Sequence, residues 1–243
     1  MSKETPKGHQ HPLTQMISEI NQIFSELGFV FAEGPEAETE YYNFDQLNFP
    51  KNHPARDMQD TFWFPKEATI EPMVLRTHTS AVQVKHMESH KPPIRCIVPG
   101  KVFRNEATDA THEAQFYQLE GMYVDKDVHL GHLKGTVEYF FNKFFKGREI
   151  DFRYRPNFFP FTEPSFEIDM MFKNSGSKLD NKWIEVLGSG MIHPNVLKNS
   201  GIDPEVYSGF AFGMGIDRLG FLKYGFDDIR TLYSGDLRFV TQF

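Results

Sequence analysis

Cysteine is nearly absent: Cys96 is the only one in 243 residues. That excludes an internal disulfide and fits a reducing, cytoplasmic compartment. Within Ile94-Arg95-Cys96-Ile97-Val98 the residue reads as a small core hydrophobe. No apolar run approaches the ~20 residues that a membrane-spanning helix requires. Residues 1–10 carry neither an apolar signal segment nor the Arg-rich pattern of a transit peptide, and their polar, Pro- and Gly-containing composition reads as a disordered leader or a remnant of cloning. Positive charge is scarce as well, since 26 Lys and Arg face 33 Asp and Glu for a net charge of -7. Nucleic-acid affinity comes largely from Lys and Arg displacing counterions from phosphates, so this chain alone is a poor nucleic-acid binder. A dinucleotide fingerprint is also missing. Gly213-Met214-Gly215 opens like one, yet Asp217 and Arg218 occupy the region of the third glycine, and the next glycine is Gly220.

What is present in quantity is apolar and aromatic surface. Hydrophobic residues make up 40% of the chain and 25 residues are Phe, enough for one large domain with a substantial core. From Pro12, which suits a first helical position, Leu13, Met16, Ile17, Ile20, Phe24 and Leu27 share a helical face, and Gly28 supplies the stop. Phe29–Phe31 and Thr61–Phe64 read as short strands, and Tyr41–Phe49 as a return to helix before Pro50. Leu130, Leu133, Val137, Phe140, Phe141, Phe144 and Phe145 recur at helical spacing, with Asp127 as the expected cap and Gly147 as the stop. Close packing is the expected reason for Gly131 and Gly135 inside that helix. Phe152–Arg155, Ser165–Lys173 and Lys182–Leu187 read as strands, the last two joined through a turn around Asn174-Ser175-Gly176-Ser177. Asp203-Pro204 is expected to start a short helix.

Chemistry concentrates in two stretches. In Gly209-Phe-Ala-Phe-Gly-Met-Gly-Ile-Asp-Arg218, a glycine-spaced strand feeds a helix from about Ile216 and puts Arg218 in its first turn. The exposed N–H groups, the helix dipole and a guanidinium together suit phosphate. In the second stretch, Gln115–Val124 reads as a strand in which Phe116, Gln118 and Glu120 share one face while Tyr117 and Leu119 share the other. An aromatic, an amide and a carboxylate together make either a polar site with a stacking platform or a solvated sheet face. The preceding strand, Lys101–Glu106, alternates Arg104 and Glu106 with Phe103 and Asn105, so a hairpin would set two charged faces side by side.

Phe103-Arg104-Asn105-Glu106 followed by Thr111-His112, then Phe116-x-Gln118-x-Glu120-Gly121, then the glycine-rich strand ending in Arg218, resembles motifs 2 and 3 of class II aminoacyl-tRNA synthetases. With Asn157-Phe-Phe-Pro-Phe-Thr-Glu-Pro164 between them, the chain is similar from about His11 onward to the catalytic part of phenylalanyl-tRNA synthetase α subunits. The resemblance implies an α+β fold, a mostly antiparallel sheet flanked by helices, as one catalytic domain over 11–243. His53-Pro54-Ala55-Arg56-Asp57 corresponds to motif 1, which builds subunit interfaces in that class; by itself Pro54 reads as an ordinary turn.

The implied activity is ATP-dependent activation of L-phenylalanine and its transfer to tRNA(Phe). The implied catalytic residues are Arg104 on the α-phosphate and Arg218 on the γ-phosphate. Glu106, His112 and Phe116 complete the ATP site, with Phe116 stacked on adenine opposite Arg218. For phenylalanine the resemblance implies His78, Ser80, Gln118 and Glu120 at the ammonium end, and Phe159, Phe161 and Ala211 around the ring. From the residues alone, Ser80 serves equally as a helix cap, Phe159 and Phe161 as core, and His112 as a solvated loop histidine. Mg²⁺ is expected with the ATP phosphates, and Glu163 is a candidate metal ligand, although one carboxylate is a weak site by itself. The implied assembly pairs the chain with a β subunit as an (αβ)₂ heterotetramer. The family's N-terminal coiled-coil arm is absent from this sequence, so the chain is either truncated or a form without it. Its last residues, to Phe243, resemble the closing stretch of the family's α chains. Two rival readings are a paralogue that activates another small amino acid and a catalytically silent binding or regulatory module. Phe159, Phe161 and Ala211 argue against the first, and the intact Arg104, Glu106 and Arg218 against the second.

Overall fold

The computed structural model describes residues 8–109, 113–174, 176 and 179–243. Its frame is a seven-stranded sheet built from β1 (Val30–Phe31), β4 (Ile94–Phe103), β5 (Gln115–Asp125), β6 (Glu149–Phe159), β7 (Thr162–Lys173), β8 (Ile184–Ile192) and β9 (Ser208–Gly215). The spatial order is β1-β4-β5-β9-β8-β7-β6. Only β1 runs parallel to its neighbour, and every other pairing in the sheet is antiparallel. A small separate ribbon pairs β2 (Ala37–Thr39) with β3 (Met73–Leu75).

Alternation along the strands gives the sheet two different faces. Leu119, Phe210, Phe212 and Met214 enter the larger core, against α1 (Pro12–Glu26), α3 (Leu130–Phe144) and α5 (Ile216–Tyr224). Cys96, Val98, Met122 and Val124 turn the other way, toward α2 (Ser80–Ser89) and α4 (Pro194–Asn199). The aromatic stripe of α3 is core: Phe140 is fully buried, with ring centroids 4.9 Å from Phe24 and 5.2 Å from Phe141. The chain ends in a 3₁₀ turn (Ile229–Leu232) and α6 (Leu237–Val240).

Helix starts obey local chemistry more specific than the sequence suggests. α1 begins at Pro12 as expected, and His11 Nδ1 accepts the Leu13 N–H at 3.1 Å while its Nε2 donates to the Leu232 carbonyl at 2.9 Å. α3 is capped by His129 in a reciprocal box with His132, and not by Asp127, which stands in the left-handed region at φ 58°. Gly135 packs closely against nothing, contrary to expectation, whereas a Cβ at Gly131 would fall 2.8 Å from the His129 ring. The short helix expected at Asp203 does not form; α4 forms earlier, at Pro194, with His193 as its cap. Of Thr61–Phe64 only a single bridge, Trp63 to Val74, pairs. β4 ends at Phe103, so Arg104 and Glu106 follow the strand and do not alternate along it. Tyr41–Asp45 is a π-helical turn. The turn between β7 and β8 lies partly outside the described residues.

Phe140→Ala removes a ring from the centre of the larger core. It is expected to cost about 3–5 kcal/mol of stability, read from the urea midpoint at unchanged m-value.

Candidate active site

On the α2 side of the sheet, where β4, β5, β9 and β8 run side by side, lies a cavity of about 870 Å³. That is the upper range for a small-molecule site. It opens there because the facing strands carry little bulk. A Cβ at Gly213 would fall 3.1 Å from Gln118 Nε2 and 3.2 Å from Glu120 Cγ, and one at Gly188 would fall 2.9 Å from the Phe159 ring. Ala211 is the small residue between Gly209 and Gly213 on that same face, and it lines the cavity.

Parity along β5 is as expected, with Phe116, Gln118 and Glu120 all lining the cavity. Glu120 is buried and accepts three hydrogen bonds: from Ser80 Oγ at 2.5 Å, from the Thr79 N–H at 3.2 Å and from Gln118 Nε2 at 3.0 Å. Burial still dominates and pushes its carboxyl up to about 7. Ser80 is therefore no side-chain cap for α2, because its hydroxyl is spent on Glu120. The preceding Thr79 makes no capping bond either and donates to the Val98 carbonyl at 3.1 Å.

His78 stacks on Phe49 at 6.1 Å, and among the described residues neither of its buried ring nitrogens has a hydrogen-bond partner. Burial and the nearby Arg104 and Arg76 hold it neutral, down to about 3. An unpartnered imidazole at a cavity wall is a group suited to receive a ligand polar atom. Phe159 and Phe161 line the same cavity, with centroids 5.8 Å apart and planes 13° from parallel. Phe159 is the last residue of β6 and Phe161 stands in the β6–β7 turn itself.

The charged end lies at the ends of β4 and β9. Arg104 donates through Nε to the Thr77 carbonyl at 3.2 Å and lays its guanidinium over the Phe116 ring at 5.1 Å. Arg218, exposed in the first turn of α5, donates to the Glu185 carbonyl at 3.0 Å. Among the described residues neither guanidinium is paired with a carboxylate, which leaves donors facing the cavity. Glu106 is exposed at the rim. The chamber as a whole joins apolar rings, a buried carboxylate with a hydroxyl and an amide on it, and two guanidinium groups, one of them over an aromatic ring.

Comparison with known proteins identifies the family. The family described as "tRNA synthetases class II core domain (F)" matches residues 1–243. A phenylalanine–tRNA ligase alpha subunit of Alkaliphilus oremlandii is 56% identical over 241 residues, covering 97% of this chain and 69% of that one. The chain belongs to the class II tRNA synthetases, among the phenylalanine–tRNA ligase alpha subunits. A second such subunit, from Agrobacterium fabrum, is 49% identical over 243 residues, covering 98% of this chain and 67% of its own. The chain thus spans about two thirds of the length of these relatives. Among solved structures, pyrrolysyl-tRNA synthetase from Desulfitobacterium hafniense matches with a TM-score of 0.68 at 16% identity, over 95% of this chain and 76% of that one. At that identity the likeness speaks for the synthetase fold alone.

Two of the expected site residues of this synthetase are not in the chamber as described. His112 lies outside the described residues. Glu163 does not line the cavity; its exposed carboxylate sits 3.3 Å from His193 Nε2. Among the described residues no three His, Cys, Asp or Glu side chains come together as a metal nest, so Glu163 does not fit a resident ion by itself.

Several residues that shape the synthetase site gave no signal in the sequence. Asn43, fully buried on the π-helical turn, exchanges two hydrogen bonds with Thr77 at 3.1 and 3.3 Å and so holds the carbonyl that receives Arg104. Gln83 lies one turn beyond Ser80 on α2 and brings a buried amide to the cavity wall, its Nε2 unpartnered. Asp217 is different, because it stands beside Arg218 in a stretch already singled out.

Two buried titrating groups of the chamber, Glu120 and His78, oppose each other. Between about pH 4.5 and 6.5 the folded state keeps a proton on Glu120 that the unfolded state releases, so that group makes stability fall as pH rises. Over the same window the unfolded state protonates His78 and the folded state does not, so that group makes stability rise with pH. Glu120→Gln is expected to steepen the rise of unfolding free energy across this window by about 1 kcal/mol per pH unit relative to the parent. His78→Asn should tilt it the opposite way, and urea titrations at several pH values read both slopes.

Proposed function

We propose that the chain is the catalytic α subunit of a phenylalanine–tRNA ligase. It activates L-phenylalanine with ATP to phenylalanyl-adenylate and passes the phenylalanyl group to tRNA(Phe). The observation that carries this is that Phe159, Phe161 and Ala211 line the same chamber as Glu120, Arg104, Phe116 and Arg218. A wall of Phe159, Phe161 and Ala211 favours an aromatic side chain over a charged one.

In the first step a phenylalanine carboxylate oxygen attacks the α-phosphorus of ATP, and the bond to the bridging oxygen breaks to release pyrophosphate. This requires alignment and neutralisation of developing charge, and no protein nucleophile. Glu120, Gln118, Ser80 and the unpartnered His78 hold the ammonium end. An arriving ammonium favours the ionised form of Glu120, so substrate binding replaces the proton that burial retains. Arg104 clamps the α-phosphate, where the charge builds. The adenine lies between Phe116 and Arg218, with Glu106 accepting from its amino group, while Arg218 and His112 meet the outer phosphates. No cluster of side chains among the described residues would hold Mg²⁺ by itself, so the ion would come bound to the ATP phosphates and offset part of their charge. Glu163 retains a metal role only if a further ligand is supplied to it.

The net charge of -7 supports a division of labour in which most of the tRNA grip lies outside this chain, on a β subunit within an (αβ)₂ assembly. A buried free Cys96 supports a cytoplasmic setting. Among the described residues no helix is long and apolar enough to cross a membrane.

Phenylalanine-dependent ATP–pyrophosphate exchange, with tyrosine as control and with a β subunit added, tests this directly. Exchange with phenylalanine only is the expected outcome; silence even with the β subunit present would falsify the assignment. In the same assay Arg104→Ala should lower kcat by about 10²–10³-fold while changing the KM for phenylalanine much less, and equal losses in both would argue against a transition-state role. Ala211→Gly should enlarge the ring end and admit para-substituted phenylalanines, which unchanged discrimination against p-chlorophenylalanine would disprove.

A further inference from the structure

Asp217 sits in the first turn of α5, directly before Arg218, and is buried. Its carboxylate reaches away from the helix in two directions. Oδ2 accepts the Tyr117 N–H at 2.8 Å, and Oδ1 accepts the Tyr233 hydroxyl. The sheet register explains the first bond. β5 and β9 pair from Asp125 with Ser208 down to Gln118 with Gly215, and there β9 turns into α5. Tyr117 is the first β5 residue past the end of that ladder, and the Asp217 side chain supplies the acceptor that a longer β9 would have provided. Tyr117 stands between Phe116 and Gln118, both of which line the cavity. One carboxylate therefore ties the strand segment that carries the aromatic plate to the helical turn that carries Arg218.

The second bond recruits the segment after α5. Tyr233 follows the 3₁₀ turn Ile229–Leu232, and Ile229 of that turn lines the same cavity. The turn is held from both sides: Asp228 Oδ1 accepts the Arg230 N–H at 2.9 Å, and the Leu232 carbonyl receives His11 Nε2 from the start of α1. A bend anchored this firmly can fix where Asp217 points.

We propose that Asp217 and Tyr233 are positioning residues for the nucleotide, setting the separation of Phe116 and Arg218 and making the segment after α5 part of the adenine end of the site. Asp217 borders the cavity and Tyr233 lies behind it, and both act on the nucleotide through Phe116 and Arg218. The inference rests on the reading above, that the Phe116–Arg218 end receives ATP.

The test uses the complete enzyme, the chain with its β subunit, in exchange assays with ATP and phenylalanine varied separately and melting temperatures measured in parallel. Tyr233→Phe is expected to raise the KM for ATP by about tenfold, the effect of one hydrogen bond to a charged group, and to leave the KM for phenylalanine within about twofold. Asp217→Ala should do more. Asp217→Asn should do less, since an amide oxygen still accepts from the Tyr117 N–H and the Tyr233 hydroxyl can rotate to accept from the amide. Adding Tyr233→Phe to Asp217→Ala should change nothing further, because the partner is already gone. Three results overturn the proposal: both KM values rising in step, Tyr233→Phe leaving both unchanged, or Asp217→Asn losing as much as Asp217→Ala. Should Asp217→Ala fail to fold, Tyr233→Phe and Asp217→Asn decide it. A parent enzyme with no exchange activity sinks the functional reading and this inference together, whereas an active parent with an unaltered Tyr233→Phe variant sinks the inference alone.

Discussion

Everything in this molecule hangs on the two-sidedness of β5 and β9. Leu119, Phe210, Phe212 and Met214 are locked into the larger core, which leaves Gln118, Glu120, Ala211 and Gly213 no choice of face. A slip of one residue in either strand would put a carboxylate among phenylalanines and a phenylalanine in the chamber. The dry core thus acts as the register lock for the polar site, and the apolar burial that stabilises the fold also aims its chemistry.

The second organising fact is that charge is taken out of water inside the chamber and left partly unsatisfied. Among the described residues Glu120 is held by three donors yet retains its proton to about 7, His78 has no partner for either nitrogen, and Arg104 donates to a carbonyl and rests on an aromatic ring. A structure built only for stability would pair or delete these groups. Their persistence is intelligible if ligands supply the missing ammonium, carboxylate and phosphate partners. The glycines at 188 and 213 belong to the same arrangement, because side chains there would fill the space that ligand atoms need.

Much of this was legible in the amino-acid order. The face shared by Phe116, Gln118 and Glu120 follows from a period of two, the first helix from its apolar face and Pro12, and the strand-to-helix transition before Arg218 from its glycine spacing. What went astray did so for identifiable reasons. Histidine is not an obvious cap, yet His129 and His193 start α3 and α4 because an imidazole Nδ1 can accept the N–H two residues on. Arg104 and Glu106 alternate in sequence with Phe103 and Asn105 but fall beyond the last β4 pair, so the pattern there reflected no strand. Phe159 and Phe161 meet through a turn, a route that spacing alone does not reveal. Glu163, a candidate metal ligand in the sequence, has its exposed carboxylate 3.3 Å from His193 Nε2, a contact between segments that no local pattern announces.

By itself, then, the sequence determined the class of fold, the family, and the identities of most of the groups that meet in the chamber, because side-chain period, glycine placement and ordered motifs are local properties of the chain. Tertiary structure alone decided which groups are partnered. Ser80 donating to Glu120 across 40 residues, Asn43 bracing Thr77 from a π-helical turn, and Asp217 completing the end of the β5 ladder with Tyr233 are bonds between segments that share no local pattern. Hydrogen bonding and desolvation depend on which atoms come within about 3 Å of one another, and that proximity exists only once the sheet has closed.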